Sequence, residues 1–335
     1  MKRERLCLLL AFFILSTLIS PKELLAALYY EGKVIKIVVG NEVGGGYDRI
    51  ARLLAKHLPK HIPGKPAIIV ENMPGAGTII AANYIYRLAK PDGLTLGAVD
   101  RGLPIAQLVK GEGIRFDLTK YSWIGSAAVE STVLCLRSEL PYKTVDDLRK
   151  AKEPIYLGSV GQASNDYHFP TLLREFVGLN LKIVTYISSP SINLAIERKE
   201  VDGRAGSYTA LKPFIERGVM RPLIRCRISQ AGIENLPVDE DLTTSKMGKV
   251  IMAMRSAPDR AGRPYVAPPG VPFEVINILR ESFDKVAKDP ELKEESEKIM
   301  MPVEYVPADE CLKILNFVLI QPEDIVKEFS KYIKF

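Results

Sequence analysis

The chain has 335 residues, of which 47% are hydrophobic and 26% charged, values that are ordinary for a globular protein long enough to form two domains. Its formal net charge of +6 is dispersed, and no basic cluster with interleaved aromatic residues occurs, so a nucleic-acid-binding protein is not expected. Cys135, Cys226 and Cys311 lie among apolar neighbours without a paired spacing, which argues against a disulfide framework or a zinc site and predicts buried thiols.

The N-terminus has the form of a secretory signal peptide. Three basic residues among the first five precede the apolar run Leu6–Ile19. We predict that residues 1–27 direct export and are removed near Ala26 or Ala27, which places the mature chain in the periplasm or another extracytoplasmic space. An uncleaved membrane anchor is the alternative.

Residues 28–130 alternate between predicted strands and helices, and the apolar residues of the helices recur at helical spacing. The strands are Val34–Val39, Ala67–Val70 and Leu94–Val99, and the helices are Tyr47–Leu58 and Thr78–Leu88. Alternation of this kind predicts βαβ crossovers and a parallel sheet.

Glycine-rich loops follow the first two strands, at the points where helices begin. Bare backbone N–H groups at a helix N-terminus carry partial positive charge and attract anions. Neither loop completes the dinucleotide GxGxxG pattern or the phosphate-binding P-loop pattern, so neither predicts a nucleotide. The predicted ligand contacts in these loops are Val43, Gly44, Gly45, Gly46, Asp48, Gly75, Ala76, Gly77 and Thr78.

Three of these interpretations have structural alternatives. Asp48 stands at a helix start, where a carboxylate can instead accept hydrogen bonds from unpaired backbone N–H groups. The Gly75–Gly77 segment is also compatible with a simple turn. Arg101 follows the third strand, where its guanidinium could clamp a carboxylate through two hydrogen bonds or lie at the surface.

A second α/β segment covers residues 131–255. Its predicted strands are Thr132–Leu136, Ile155–Ser159, Lys182–Tyr186, Val201–Ala205 and Arg221–Cys226. The helices beyond Pro272 have no sheet of their own and must cover one built earlier. We therefore predict two α/β lobes, residues 28–130 with 256–335 in the first and residues 131–255 in the second. Ligands of parallel sheets bind outside the carboxyl ends of the strands, which predicts a cleft between the lobes.

Polar residues near strand ends of the second lobe complete the predicted site as hydroxyl and amide donors. With Arg101 of the first lobe, they are Ser159, Gly161, Ser164, Ser188, Ser189 and Tyr208.

Nucleophilic catalysis is not predicted. Ser159 lacks the GxSxG context, because Leu157 stands where the first glycine is required. The histidines are His57 and His61, expected in solvent at a helix end, and His168. A Ser-His-Asp triad therefore has few candidates.

Seven segments together resemble one family in their order and spacing. They are GGGYDRIAR at 44–52, VENMPGAGT at 70–78, KPDGLTL at 90–96, FDLTKYSWIG at 116–125, KTVDDLRKA at 143–151, YLGSVGQAS at 156–164 and PPGVP at 268–272. The chain resembles, over nearly all of its mature length, the extracytoplasmic solute receptors of tripartite tricarboxylate transporters, the Bug family.

The resemblance implies a two-lobed, type II-like periplasmic-binding-protein fold with the ligand cleft between the lobes. In such receptors two loops, here Val43–Asp48 and Pro74–Thr78, grip a carboxylate, and the segment Ser159–Ser164 faces them. The implied function is a non-enzymatic, monomeric receptor without a cofactor or metal. Its implied partners are a small carboxylate, such as a dicarboxylate, a tricarboxylate or an aromatic acid, and the cognate membrane permease subunits.

Three other functions stay open. A sensor that presents the ligand to a signalling protein would share the site and differ only in its partner. A receptor for an amino acid or amide would tolerate Glu42, whose carboxylate stands beside the predicted anion site. An exported hydrolase is the third alternative. Closure of the lobes is expected at crossing strands near Gly125–Ser131 and Ile251–Ser256.

Overall fold

The computed structural model describes residues 29–333, which form two lobes, each built on one β-sheet with helices on both faces. The predicted signal peptide, residues 1–27, lies outside the described residues. Among the helices of the described part, none combines the length and apolar character that crossing a membrane requires.

The first sheet contains six strands in the order β11-β4-β10-β3-β1-β2, and the second contains five in the order β7-β6-β8-β5-β9. In chain order the strands are β1 (Val34–Val39), β2 (Ala67–Asn72), β3 (Thr95–Ala98), β4 (Ser122–Ser126), β5 (Thr132–Arg137), β6 (Ile155–Ser159), β7 (Leu181–Thr185), β8 (Gly203–Ser207), β9 (Met220–Arg225), β10 (Pro264–Ala267) and β11 (Val306–Pro307).

The α-helices cover both faces of the two sheets. In chain order they are α1 (Gly46–His57), α2 (Ile79–Arg87), α3 (Leu103–Leu108), α4 (Val145–Arg149), α5 (Asn165–Leu172), α6 (Ser189–Glu197), α7 (Tyr208–Glu216), α8 (Lys246–Ser256), α9 (Phe273–Ala287), α10 (Pro290–Lys298), α11 (Ala308–Leu319) and α12 (Glu323–Phe329).

Both sheets are mixed, whereas the alternating pattern of the first segment predicted a parallel sheet. The βαβ units are parallel as expected, since β1 pairs with β2 and β3, and β6 pairs with β7 and β8. Strand β10 instead runs antiparallel to β3 and β4, and β5 runs antiparallel to β8 and β9. Strand β10 enters the first sheet from the other lobe, and β5 likewise enters the second. Neither strand is therefore part of a βαβ unit that would require it to run parallel to its neighbours.

Strand β1 shows how one sheet serves two cores. Ile35, Ile37 and Val39 face a core built with α1, α9 and α10, while Val38 faces the opposite core under α2 and α11. Successive side chains of a strand point to opposite faces, so a continuous apolar run is what a strand buried on both faces requires.

The C-terminal helices divide between the lobes. Helices α9 and α10 pack on the first sheet, as does most of α11 through Cys311 and Leu315. Ile325 and Phe329 of α12 belong to the core of the second sheet. The sequence placed all of residues 256–335 with the first lobe, and the structure places the last helix on the second.

The chain passes between the sheets at residues 127–131 and again at residues 257–263. These two segments hydrogen-bond to each other, with Ala127 N–H donating to the Arg263 carbonyl at 2.9 Å and Glu130 N–H to the Asp259 carbonyl at 2.8 Å. Residues 251–256, expected in a crossing strand, are instead the last turns of α8.

Two expectations about reactive side chains have different outcomes. Cys135, Cys226 and Cys311 are buried and unpaired, as predicted. The expectation that His57 lies in solvent is wrong, because its side chain is 3% exposed and its Nε2 lies 3.1 Å from the Glu295 carboxylate. Helix α10 packs over this end of α1 and covers it.

Candidate functional site

A cavity of about 130 Å³ lies between the two lobes, and we call it the loop cavity. It is lined by residues 40–42, Gly45, residues 74–78, Val160 and residues 186–190. These segments follow the carboxyl ends of β1, β2, β6 and β7. The site therefore lies where parallel strands end, the edge at which α/β sheets bind ligands.

The first lining loop is held from behind by Asp48. Its carboxylate accepts the Gly44 N–H at 2.8 Å and the Asn72 side-chain amide at 2.9 Å, and it pairs with Arg52. Burial alone would raise the pKa of Asp48, but the hydrogen bonds from Arg52, Gly44 and Asn72 lower it. Asp48 thus fixes the position of the first loop relative to the end of β2.

The second lining loop is unusual in its backbone. Gly75, Ala76, Gly77 and Thr78 all have positive φ, with values of 46° at Ala76 and 75° at Thr78. L-residues other than glycine rarely adopt this conformation, and it costs free energy that the surrounding fold must supply. A simple turn does not require four successive residues with positive φ. The conformation of this loop is therefore a specific feature of the site.

Three helices begin at the loop cavity. Gly45 precedes α1, Thr78 precedes α2, and Ser188 precedes α6. The first-turn N–H groups of a helix lack intrahelical partners and carry partial positive charge. Neither Gly45 nor Thr78 caps its helix through a side chain. The Ile79 N–H of α2 already donates to the Ala76 carbonyl, so an anion would meet the N–H groups that such backbone contacts leave unpaired.

The second lobe contributes Ser188 and Ser189. Ser188 forms a capping box with Ser191, accepting its N–H at 3.2 Å, so this hydroxyl is already committed to α6. The Ser189 hydroxyl accepts from Arg204 Nη2 at 3.1 Å. Both serines line the loop cavity, with Tyr186 and Ile187 beside them.

Below the loop cavity lies a smaller inner cavity of about 60 Å³ that holds buried arginines. The Arg101 guanidinium pairs with Asp259 and donates to Ser207 Oγ at 2.8 Å. Arg204 Nη2 lies 3.2 Å from Asp166, and burial lowers the pKa of Arg204 despite that carboxylate. Arg263 pairs with Glu130 at 2.8 Å. These cations are all neutralised within the protein.

On the other side of the first loop lies an outer cavity of about 550 Å³. Its lining includes Gly44, Gly45, Gly46, Arg49 and Phe214. Gly45 of the first lobe and Ser189 of the second line all three cavities, so the three spaces meet between these two residues. A β-carbon at Gly46 would lie 2.7 Å from the Arg263 guanidinium, so a larger residue there would displace this buried cation from its pairing with Glu130.

Most of the residues predicted to contact ligand are brought together at these cavities. Those that line at least one of them are Val43, Gly44, Gly45, Gly46, Gly75, Ala76, Gly77, Thr78, Arg101, Ser164, Ser188 and Ser189.

Four predicted residues line none of the three cavities. Asp48 and Ser159 are buried behind the loops, where the Ser159 hydroxyl donates to Asp166 at 2.8 Å. Gly161 approaches the Gly77 backbone across the interlobe contact. Tyr208 packs in a core of the second lobe.

Sequence reasoning missed Arg204, which lies in the interior of β8 and reaches both the inner and outer cavities. A signal existed, since a charged residue inside a strand needs a buried partner or a cavity. Its partner Asp166 lies 38 residues earlier in the chain, at the start of α5.

The histidines do not supply a catalytic base at this cleft. His168 is fully buried, burial lowers its pKa to about 3, and its Nε2 lies 2.7 Å from the Gln162 carbonyl. Within residues 29–333, the one cluster with metal-ligand spacing is His57, Asp289 and Glu291, away from the cleft. Lys60 Nζ already lies 2.7 Å from Asp289 and 2.8 Å from Glu291, where a cation would bind.

The family model for TctC, described as tripartite tricarboxylate transporter family receptor, matches residues 50–330. A UPF0065 protein of Cupriavidus necator is 27% identical over 302 residues, which cover 88% of this chain and 87% of that protein. The match to the structure of the periplasmic binding protein BugD covers 91% of this chain and 99% of the BugD chain, with a TM-score of 0.75 and 20% sequence identity. An R. palustris protein solved with adipate has the same coverage, a TM-score of 0.73 and 18% identity.

Proposed function

This chain belongs to the tripartite tricarboxylate transporter family of receptors, and we propose that it is exported, captures a small carboxylate in the interlobe cleft and delivers it to a cognate membrane permease. The family consists of transport receptors rather than enzymes, and its fold is that of periplasmic binding proteins. A carboxylate ligand agrees with the adipate held by one structural relative.

The observation that carries this proposal is the convergence of the α1, α2 and α6 N-termini on the loop cavity. No arginine, lysine or histidine lines that cavity within the described residues. A carboxylate would therefore be bound by backbone N–H groups and helix dipoles, which attract anions without a full counter-charge. A loop cavity of about 130 Å³ suits one end of a ligand, and the outer cavity gives the remainder space.

The proposal is tested by calorimetry and thermal shift on protein freed of retained ligand by unfolding and refolding. The panel is C4–C8 dicarboxylates, tricarboxylates, aromatic acids and the corresponding neutral amides. We expect saturable binding of at least one acid, and raised thermal stability, since a ligand that binds only the folded state stabilises it. A panel without any acid binding at millimolar concentration would contradict the proposal.

Gly45→Val tests whether the ligand contacts the backbone of the first loop. The change is compatible with the fold, because Gly45 has φ −71° and a β-carbon there meets only the Glu42 carbonyl oxygen, at 3.4 Å. We expect ligand affinity to fall at least about tenfold. The altered N-cap should lower the free energy of unfolding by only about 1 kcal/mol.

Ser245→Val is the matched control, because it removes the N-cap of α8, whose hydroxyl accepts the Gly248 N–H at 3.0 Å away from the cleft. It should lose stability and keep affinity. Unchanged affinity in Gly45→Val would count against backbone recognition.

A further inference from the structure

We propose that the ligand carries an ammonium group in addition to its carboxylate, and that Glu42 with Asn41 recognises it. This inference rests on the proposed function, because it adds a second feature to the carboxylate bound in the same cleft. It makes Glu42 the residue that selects among carboxylates.

The first step is the position of Glu42. It lies in the loop that follows β1 and lines the loop cavity beside the helix N-termini. Its backbone carbonyl accepts the Gly45 N–H, but within residues 29–333 its side-chain carboxylate forms no ion pair or hydrogen bond. Glu42 thus lines the cavity with a carboxylate that is free to pair with a ligand.

The second step is the adjacent residue. Asn41 also lines the loop cavity, and its side-chain Oδ1 is buried without a hydrogen-bond partner. Thr78 Oγ1, in the second lining loop, is likewise buried and unpartnered. Buried polar atoms without partners are costly, so a set of them around one cavity indicates that a ligand completes their hydrogen bonds.

The third step concerns charge. No basic side chain of the described residues lines the loop cavity, so Glu42 has no neutralising group there. A ligand that placed a second carboxylate beside Glu42 would meet like charge in a partly desolvated cleft. An ammonium group would instead form charge-assisted hydrogen bonds to the Glu42 carboxylate and the Asn41 carbonyl.

The two halves of the cavity thus have opposite polarity. The N-termini of α1, α2 and α6 favour a carboxylate, and the Asn41–Glu42 pair favours a cation. A ligand that carries both groups close together satisfies both halves.

The test uses ligand pairs that differ only in the amino group. Calorimetry compares glutarate with glutamate, adipate with 2-aminoadipate, and butyrate with 4-aminobutyrate on the refolded, ligand-free protein. We expect at least one amino-bearing member to bind at least about tenfold more tightly than its partner, the gain of one good charge-assisted contact.

Glu42→Gln keeps the shape of the side chain and removes its charge. It should abolish that preference, weakening the amino acid and strengthening the acid that lacks the amine. The control is Glu112→Gln, which removes the same charge at an exposed residue outside the three cavities and should leave both affinities unchanged.

The outcomes separate the two proposals. Tight binding of the simple acids with equal or weaker binding of the amino members would overturn the inference and leave the receptor function standing. A preference for the amine that persists in Glu42→Gln would overturn the role of Glu42. Binding of neither member of any pair, nor of any acid in the wider panel, would overturn the receptor function and this inference together.

Discussion

At the residue scale, Asp48 shows how one buried carboxylate positions a binding loop. Its oxygens accept the Gly44 N–H, the Asn72 amide and the Arg52 guanidinium, and its side chain is nearly fully buried. The two alternatives that the sequence offered were a helix cap and a ligand contact. The structure agrees with the first in kind, because Asp48 in the first turn of α1 accepts the Gly44 N–H just before the helix. It adds a second contact, since the Asn72 amide of the neighbouring loop donates to the same carboxylate.

Asp48→Asn should therefore weaken both stability and ligand affinity. An asparagine would present its NH₂ group to a donor that now meets an oxygen, and a buried donor left unsatisfied costs about 1–3 kcal/mol. Urea unfolding and calorimetry with the best ligand from the panel measure the two effects.

Asp146→Asn is the control for Asp48→Asn, because Asp146 is an exposed carboxylate that pairs only with Arg149 on α4. It should change stability by less than about 0.5 kcal/mol. Equal effects of the two variants would contradict the positioning role of Asp48.

At the element scale, the link between α1 and α10 illustrates how distant helices are joined. Asp289 is the N-cap of α10, accepting the Glu291 N–H at 2.9 Å, and its other oxygen lies 2.7 Å from both Lys60 Nζ and His61 Nε2. These contacts tie the helical turn that follows α1 to the start of α10. The first lobe is thereby closed over the core that supports the first loop.

Asp289→Ala should lower stability at neutral pH, since the lost N-cap alone costs about 1 kcal/mol. Burial would raise the pKa of Asp289, but Lys60, His61 and the Glu291 and Leu292 N–H groups lower it well below the ordinary 3.8. A lowered folded-state pKa gives stability that is present above the unfolded value and is lost as pH falls through the folded value. Urea midpoints of wild type and variant should converge as pH is lowered below about 4.

Asp284→Ala serves as the comparison, because Asp284 is exposed and pairs only with Lys288 one turn along α9. The stability of Asp284→Ala should be close to that of wild type both at neutral pH and below about pH 4. A gap between wild type and Asp289→Ala that widens in acid would contradict the assignment.

At the scale of the whole molecule, the lobes are in contact across the cleft. A β-carbon on Gly77 of the first lobe would lie 2.8 Å from the Ala163 Cβ of the second. Behind the cleft, the crossing segments carry the buried pairs Arg263–Glu130 and Arg101–Asp259. The structure is thus a closed arrangement in which the glycine loop and the segment before α5 touch.

Gly77→Ala should hold the lobes apart and lower ligand affinity by about tenfold. Small-angle scattering with saturating ligand should show a larger radius of gyration than wild type, because closure is blocked.

Gly32→Ala is the matched control. The φ of Gly32 is 68°, similar to the 59° of Gly77, but a β-carbon on Gly32 would meet nothing within 4 Å. It should cost comparable backbone strain, about 1 kcal/mol, with affinity unchanged. Equal affinities in the two variants would contradict the role of the Gly77 contact.

Much of this architecture is encoded locally and was predictable. The strands and helices predicted between Val34 and Ala205 lie within a few residues of their expected positions, and both glycine loops follow strands as predicted. Strand β4 and helix α3 were not predicted. Apolar periodicity and glycine chemistry act over a turn or two of chain, so a single sequence displays them. The two-lobed fold and the receptor family follow from the order of these local motifs.

Only the tertiary structure decided which charges meet and which way some strands run. Arg101, interpreted from sequence as a carboxylate clamp or a surface residue, is buried against Asp259, 158 residues away. Strand β10 runs antiparallel, and α12 packs on the second lobe. Such pairings depend on contacts between distant segments, and no local pattern specifies a partner. The sequence by itself determined the glycine loops and the helices that begin at them, because both are local features. Only the fold brought the start of α6 from the second lobe to the same cavity, since that contact joins segments more than 100 residues apart.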